Sequence, residues 1–111
     1  MAEEFSDFES FWPHFLSSHM RAATRWAHVA ALAVGVLGLI ATIVLRHWLP
    51  LVLGAAGTAA LAVGAHPLFE GNRAENLGRP LWGARGFWRL CVRTIAGSIE
   101  AEVAALARTR E

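Results

Sequence analysis

Two apolar stretches without a charge, joined at Arg46-His47, constrain what this chain can fold into more than any other feature. Residues 26–45 hold 20 positions with no charged side chain, and the chain is uncharged again from 47 to 69. At about 1.5 Å of rise per residue, a helix of roughly 20 residues reaches about 30 Å, the thickness of a bilayer's hydrocarbon core. The pattern predicts an all-α fold: an integral membrane hairpin of two transmembrane helices, 25–45 and 48–70, turning at Arg46-His47. A hairpin buried in a soluble bundle would need other helices to cover both runs, and 111 residues leave too few. At 55% apolar, the composition lies above the roughly 45–50% of soluble domains. The whole of 1–111 reads as a single membrane domain.

Two amphipathic segments flank the hairpin. Ser6-Asp7-Phe8-Glu9 has capping-box spacing, in which the serine hydroxyl and the glutamate carboxylate satisfy free amides at a helix start, so a helix is predicted over 6–20. Phe8, Phe11, Trp12, Phe15 and Leu16 recur at three- and four-residue spacing, with Asp7, Glu9, Ser10, His14 and Ser17 largely on the other side. Such a helix suits the membrane surface, with Pro13 bending it, and the same stripe would serve equally for packing on the hairpin. Over 81–107, Trp88, Val92, Ile95, Ile99 and Val103 keep helical spacing beside a basic row of Arg85, Arg89 and Arg93. This second helix is also predicted to be interfacial, its arginines meeting anionic headgroups or water. Within the crossings, Ala31, Gly35, Gly38 and Thr42 share one face, as do Gly57, Ala60 and Gly64. Small residues let backbones approach closely, so the crossings are expected to pack along these faces.

Charge sets orientation and excludes one class of partner. Arg21, Arg25, Arg73, Arg79, Arg85, Arg89 and Arg93 lie on the side of the termini, against Arg46 at the hairpin tip, which predicts cytoplasmic termini in a bacterial inner membrane. A net charge of +1, no lysine and arginines spread over several segments give no nucleic-acid footprint. Cys91 has no partner cysteine and reads as a packing residue. The first 25 residues are acidic and aromatic, and the following apolar run is too long for a signal peptide, so no cleaved targeting segment is expected.

Histidine spacing carries the chemistry. His28 lies 19 residues before His47 and His66 lies 19 after it, so a hairpin turning there brings both imidazoles to one depth. His19 and Glu70 fall near the same membrane face. His66 and Glu70 are four apart and share a helical face, with Pro67 distorting that turn. Ionisable groups at a membrane are costly, so their convergence calls for a cause, and several histidines with a carboxylate suit iron, zinc or manganese. Glu70 serves either as a ligand or as a group that orients a histidine. Arg25, Asn72 and Arg73 stand beside this cluster, and arginine's planar fork suits a carboxylate, so an acidic lipid is the expected ligand class.

The stretches FWPHFLSSHMRAATRWAH and AHPLFEGNRAENLGRPLW, separated by two crossings, resemble the short bacterial members of the Mpo1-like family of membrane proteins. The resemblance spans about Phe11 to Trp82. It implies an iron(II)-dependent dioxygenase that takes a 2-hydroxy fatty acid and O2 in fatty-acid α-oxidation. It also implies that His19, His28 and His66 hold the iron, with Glu70 and Asn72 as the accompanying carboxylate and amide. Two other readings stand beside it: a non-enzymatic membrane scaffold with interfacial histidines, and a b-type haem protein with two histidines as axial ligands. Membrane lipid is an expected partner in each, and a homo-oligomer is compatible with the sequence.

Overall fold

The structure, a computed structural model, describes residues 5–72 and 79–109. Every regular element among them is helical: α1 (Phe8–Ser17), α2 (Ala22–Leu45), α3 (Leu49–Ala65) followed by a π-helical turn (His66–Glu70), α4 (Pro80–Ala96) and α5 (Ile99–Thr109).

The hairpin forms as its sequence dictates. Ala22–Leu45 and Leu49–Glu70 are both long and apolar enough to cross a membrane. Arg46 ends α2 in the left-handed conformation (φ 54°), and Pro50 stands in the first turn of α3, where its missing N–H costs no hydrogen bond. Leu37, Ile43, Val44 and Leu53 are each more than 60% exposed, so this is not the covered core of a soluble bundle. Such an apolar surface is stable against lipid and costly against water.

The two crossings meet at glycine. A Cβ on Gly38 would lie 2.7 Å from the Pro50 carbonyl oxygen and 2.9 Å from the Gly54 Cα, so the backbones touch where only hydrogen fits. Thr58 donates to the Ala31 carbonyl across the same seam at 2.7 Å. The α2 face is the predicted one. On α3 the contact is made by Gly54, Gly57 and Thr58, whereas Gly64 touches nothing and Ala60 is exposed.

The flanking helices differ more from expectation. Asp7, not Ser6, caps α1: its carboxylate accepts from the Ser10 amide at 2.8 Å and the Ser10 hydroxyl answers the Asp7 amide. Helix α1 runs through Pro13 without interruption. Its aromatic stripe is buried against Leu90 of α4 and Ile99 of α5, so it faces neither lipid nor the crossings. The helix predicted over 81–107 is two helices, because Gly97 takes φ +84° and turns the chain back. The basic row of α4 faces α1 and α5, with Arg85 at its exposed end. Arg89 grips Glu9 with two bonds of 2.7 and 2.9 Å, Arg93 donates to Glu102, and Arg85 and Arg89 lie over the Phe8 ring. Leu81, Trp88 and Ile95 instead form the outward face, each at least 60% exposed. Helix α4 therefore turns its apolar side outward and uses its arginines to hold α1 and α5.

Candidate metal centre

His19, His28 and His66 arrive from three separate elements. His19 follows the end of α1, His28 sits in the second turn of α2, and His66 opens the π-helical turn. Their ring centroids are 4.8 Å (19 to 28), 4.5 Å (19 to 66) and 5.3 Å (28 to 66) apart, each pair nearly perpendicular. All three are buried, at 1–3% exposure. Their candidate ligand nitrogens lie within 4.8 Å of one another.

Each ring is held by its Nδ1. His19 Nδ1 is 2.7 Å from the Phe15 carbonyl in the last turn of α1, with the Ser18 hydroxyl 3.1 Å away. His28 Nδ1 lies 2.9 Å from the Thr24 carbonyl. His66 Nδ1 lies 2.8 Å from Asn72 Oδ1. A carbonyl or amide oxygen can only accept, so each Nδ1 is the donor, and the neutral form of each ring keeps its lone pair on Nε2. His19 Nε2 is buried without a partner. Three buried imidazoles with candidate ligand nitrogens within 4.8 Å of one another, each ring fixed through Nδ1 by an outer oxygen, fit a transition-metal ion. Burial, with His28 alongside, holds His19 well below the usual imidazole range, so it is neutral at physiological pH and ready to ligate.

Glu70 stands outside this triad. Its carboxylate accepts from the Arg21 amide at 2.7 Å and from the Thr24 hydroxyl at 2.5 Å. Helix α2 has no side-chain cap or acidic first turn of its own, and Glu70 supplies both from the far crossing. One carboxylate thereby ties the π-helical turn carrying His66 to the residue whose carbonyl orients His28. The turn itself follows from Pro67, which removes an amide from the helical ladder, and the Gly71 and Asn72 amides close back on the His66 carbonyl.

Arg25, expected beside a substrate, has another use. It is 2% exposed, donates to the His19 and Met20 carbonyls at 2.9 and 2.7 Å, and bridges Glu100 of α5 at 2.7 Å. It fixes the backbone of the first histidine. Asn72 likewise works from outside the triad, its amide nitrogen reaching the Ser18 carbonyl at 3.3 Å. Arg73 lies outside the described residues. Phe15, Thr24 and Phe87 were not foreseen: Phe15 stacks on His19 with centroids 4.3 Å apart, and Phe87 meets His28 at 5.5 Å. For Phe15 and Thr24 the available signal was position, four residues before each histidine.

No curated protein and no solved structure matches the chain. The family model described as 2-hydroxy-palmitic acid dioxygenase Mpo1-like matches residues 5–99, which takes in α1 to α4 and all three histidines. By that match over most of its length, the chain belongs to the Mpo1-like family.

Proposed function

We propose that this protein is an iron(II)-dependent membrane dioxygenase of fatty-acid α-oxidation, cleaving C1–C2 of a 2-hydroxy fatty acid. The balance is one O2 and one 2-hydroxy acid consumed, with a fatty acid one carbon shorter, carbon dioxide and water released. The observation that carries the reading is the triad of buried imidazoles, each with Nδ1 tied to an oxygen and Nε2 free. Iron(II), held by His19, His28 and His66, would supply a centre that reacts with O2 and chelates the 2-hydroxyl and carboxylate.

The protein's own residues prepare that chemistry. Phe15, Thr24 and Asn72 keep three ring orientations fixed before metal or substrate arrives, which removes reorganisation from the reaction. Glu70 and Arg25 lock the backbones that carry the rings. With Arg25 committed to the His19 and Met20 carbonyls, Arg73 is the cation we assign to the substrate carboxylate, next in the chain to the residue that orients His66. The arginine asymmetry supports an inner-membrane location with both termini in the cytoplasm.

Geometry disfavours the other readings. Histidines serving only as headgroup anchors belong at an exposed surface, and these are buried. A haem needs a flat slot between two axial imidazoles, whereas these rings meet each other edge-on. The test incubates iron-loaded protein in micelles with 2-hydroxypalmitate or palmitate under air, and seeks the odd-chain acid by mass spectrometry. Product from 2-hydroxypalmitate alone is expected, because palmitate lacks one chelating oxygen. Equal consumption of both acids, or product without oxygen, would refute the proposal.

A further inference from the structure

A cavity of about 480 Å³ runs along the outside of the hairpin, walled by α2, α3 and α4. Its walls include Gly35 of α2, Leu51, Ala55, Ala59 and Ala62 of α3, and Phe87 of α4. Its size falls in the range of roughly 300–1,000 Å³ typical of small-molecule sites. Two features set its direction. Phe87, at one end, has its ring 5.5 Å from that of His28, and Ala62 lies one turn before His66. From Ala62 the wall follows α3 towards the hairpin tip as far as Leu51, about 16 Å along the helix axis. The groove thus starts beside the triad, with Phe87 between it and His28, and runs toward the hairpin tip.

Resting on the dioxygenase reading above, we propose that this groove holds the acyl chain of the substrate acid, with Phe87 at its junction with the metal centre, and that its length sets chain-length preference. The lining chemistry selects the occupant. Thr58 brings the wall a hydroxyl, and that hydroxyl is already spent on the Ala31 carbonyl. A polar ligand would find no free side-chain donor there, while hydrocarbon loses nothing by entering. Gly35, Ala55, Ala59 and Ala62 keep the wall shallow enough to admit a methylene chain, and Ala55 and Ala59 are exposed, so the groove is open sideways to lipid. A fatty acid dissolved in the bilayer enters from the side with its polar head toward the histidines. A phospholipid chain would match the hydrocarbon but would have to bring a bulky phosphodiester, rather than a small carboxylate, to a triad only 1–3% exposed.

The experiment uses the full chain in nanodiscs with iron bound. A long-chain 2-hydroxy acid carrying a diazirine near its methyl end is photolysed, and the labelled peptides are mapped. Label is expected on α2, α3 and α4 around Leu51, Ala55 and Ala59, competed by excess 2-hydroxypalmitate and not by added phospholipid. Ala59→Trp, at an exposed wall position, should shift preference from 2-hydroxypalmitate towards 2-hydroxyoctanoate by at least about tenfold, at unchanged iron content. Label elsewhere, equal competition by phospholipid, or an unshifted preference in a folded Ala59→Trp protein would overturn the inference. Label in the groove without conversion of any acid would uphold the acyl site while removing the dioxygenase reading, so the two failures are distinct.

Discussion

Replacing Asn72 by alanine tests whether the oxygens outside the triad do the orienting ascribed to them. Asn72 Oδ1 lies 2.8 Å from His66 Nδ1, and His66 is 2% exposed, so water cannot take over the acceptor's role without entering the site. A buried N–H left without a partner costs about 1–3 kcal/mol. The ring can escape that cost only by rotating, which turns Nε2 from the triad, or by changing tautomer, which puts the proton on Nε2 and removes its lone pair. At about 1.4 kcal/mol per tenfold change, the loss corresponds to roughly 10- to 100-fold in metal affinity. The second bond, from Asn72 Nδ2 to the Ser18 carbonyl, adds to this because Ser18 directly precedes His19. The assay is anaerobic iron(II) titration of the apo-protein against a competing chelator, with far-UV circular dichroism to verify folding. Asn72→Asp keeps an acceptor oxygen and should retain most of the affinity. If Asn72→Ala binds iron as tightly as the parent and is folded, orientation from outside the triad is not how this site is built.

Three further outcomes follow from other parts of the fold. Gly86→Ala would place a Cβ 3.0 Å from the Phe15 ring, which stacks on His19, so it should destabilise the protein by about 1–3 kcal/mol in thermal unfolding and weaken metal binding along with it. The Arg89 guanidinium bonded to Glu9 holds that carboxyl below its ordinary 4.5, so the pair contributes stability above that value and loses it as pH falls through the lowered one. The difference in melting temperature between parent and Glu9→Gln should therefore be present at neutral pH and vanish in acid, and a constant difference would exclude the pairing. His47→Cys, at the exposed hairpin tip, should react with an impermeant thiol reagent outside intact cells, while Ala2→Cys should not. The native Cys91 will not interfere, being buried with its thiol pushed up to about 11, and the reverse pattern of labelling would invert the topology.

The hairpin was legible because length without charge is a one-dimensional property, and so was the common depth of His28 and His66. The packing face of α2 could also be read from its small residues. That of α3 could be read only at Gly57, because which of its small residues meet α2 depends on the rotation of the helix, and the structure adds Gly54 and leaves out Ala60 and Gly64. Charges misled for a related reason. Arginines next to an apolar run look like headgroup ligands, yet Arg89 and Arg25 are paired with Glu9 and Glu100, 80 and 75 residues away in the chain. Nothing local announces such a partner. The break at Gly97 did have a local signal, Gly-Ser inside an otherwise helical pattern, which the continuous spacing of Val92, Ile95, Ile99 and Val103 concealed. Glu70 kept its place at the site's edge but became a cap for α2, a role visible only once the N-terminus of α2 is seen to lack one.

The central claim is that His19, His28 and His66 form one metal site, and metal content tests it most directly. Protein purified anaerobically in mild detergent, and its His19→Ala, His28→Ala and His66→Ala variants, are analysed for iron by elemental mass spectrometry. The triad's geometry predicts iron bound stoichiometrically to the parent and mostly lost from each variant, with all four proteins inserted and helical. Full iron retained by all three variants, or a parent that binds no metal after loading with iron(II), would contradict it.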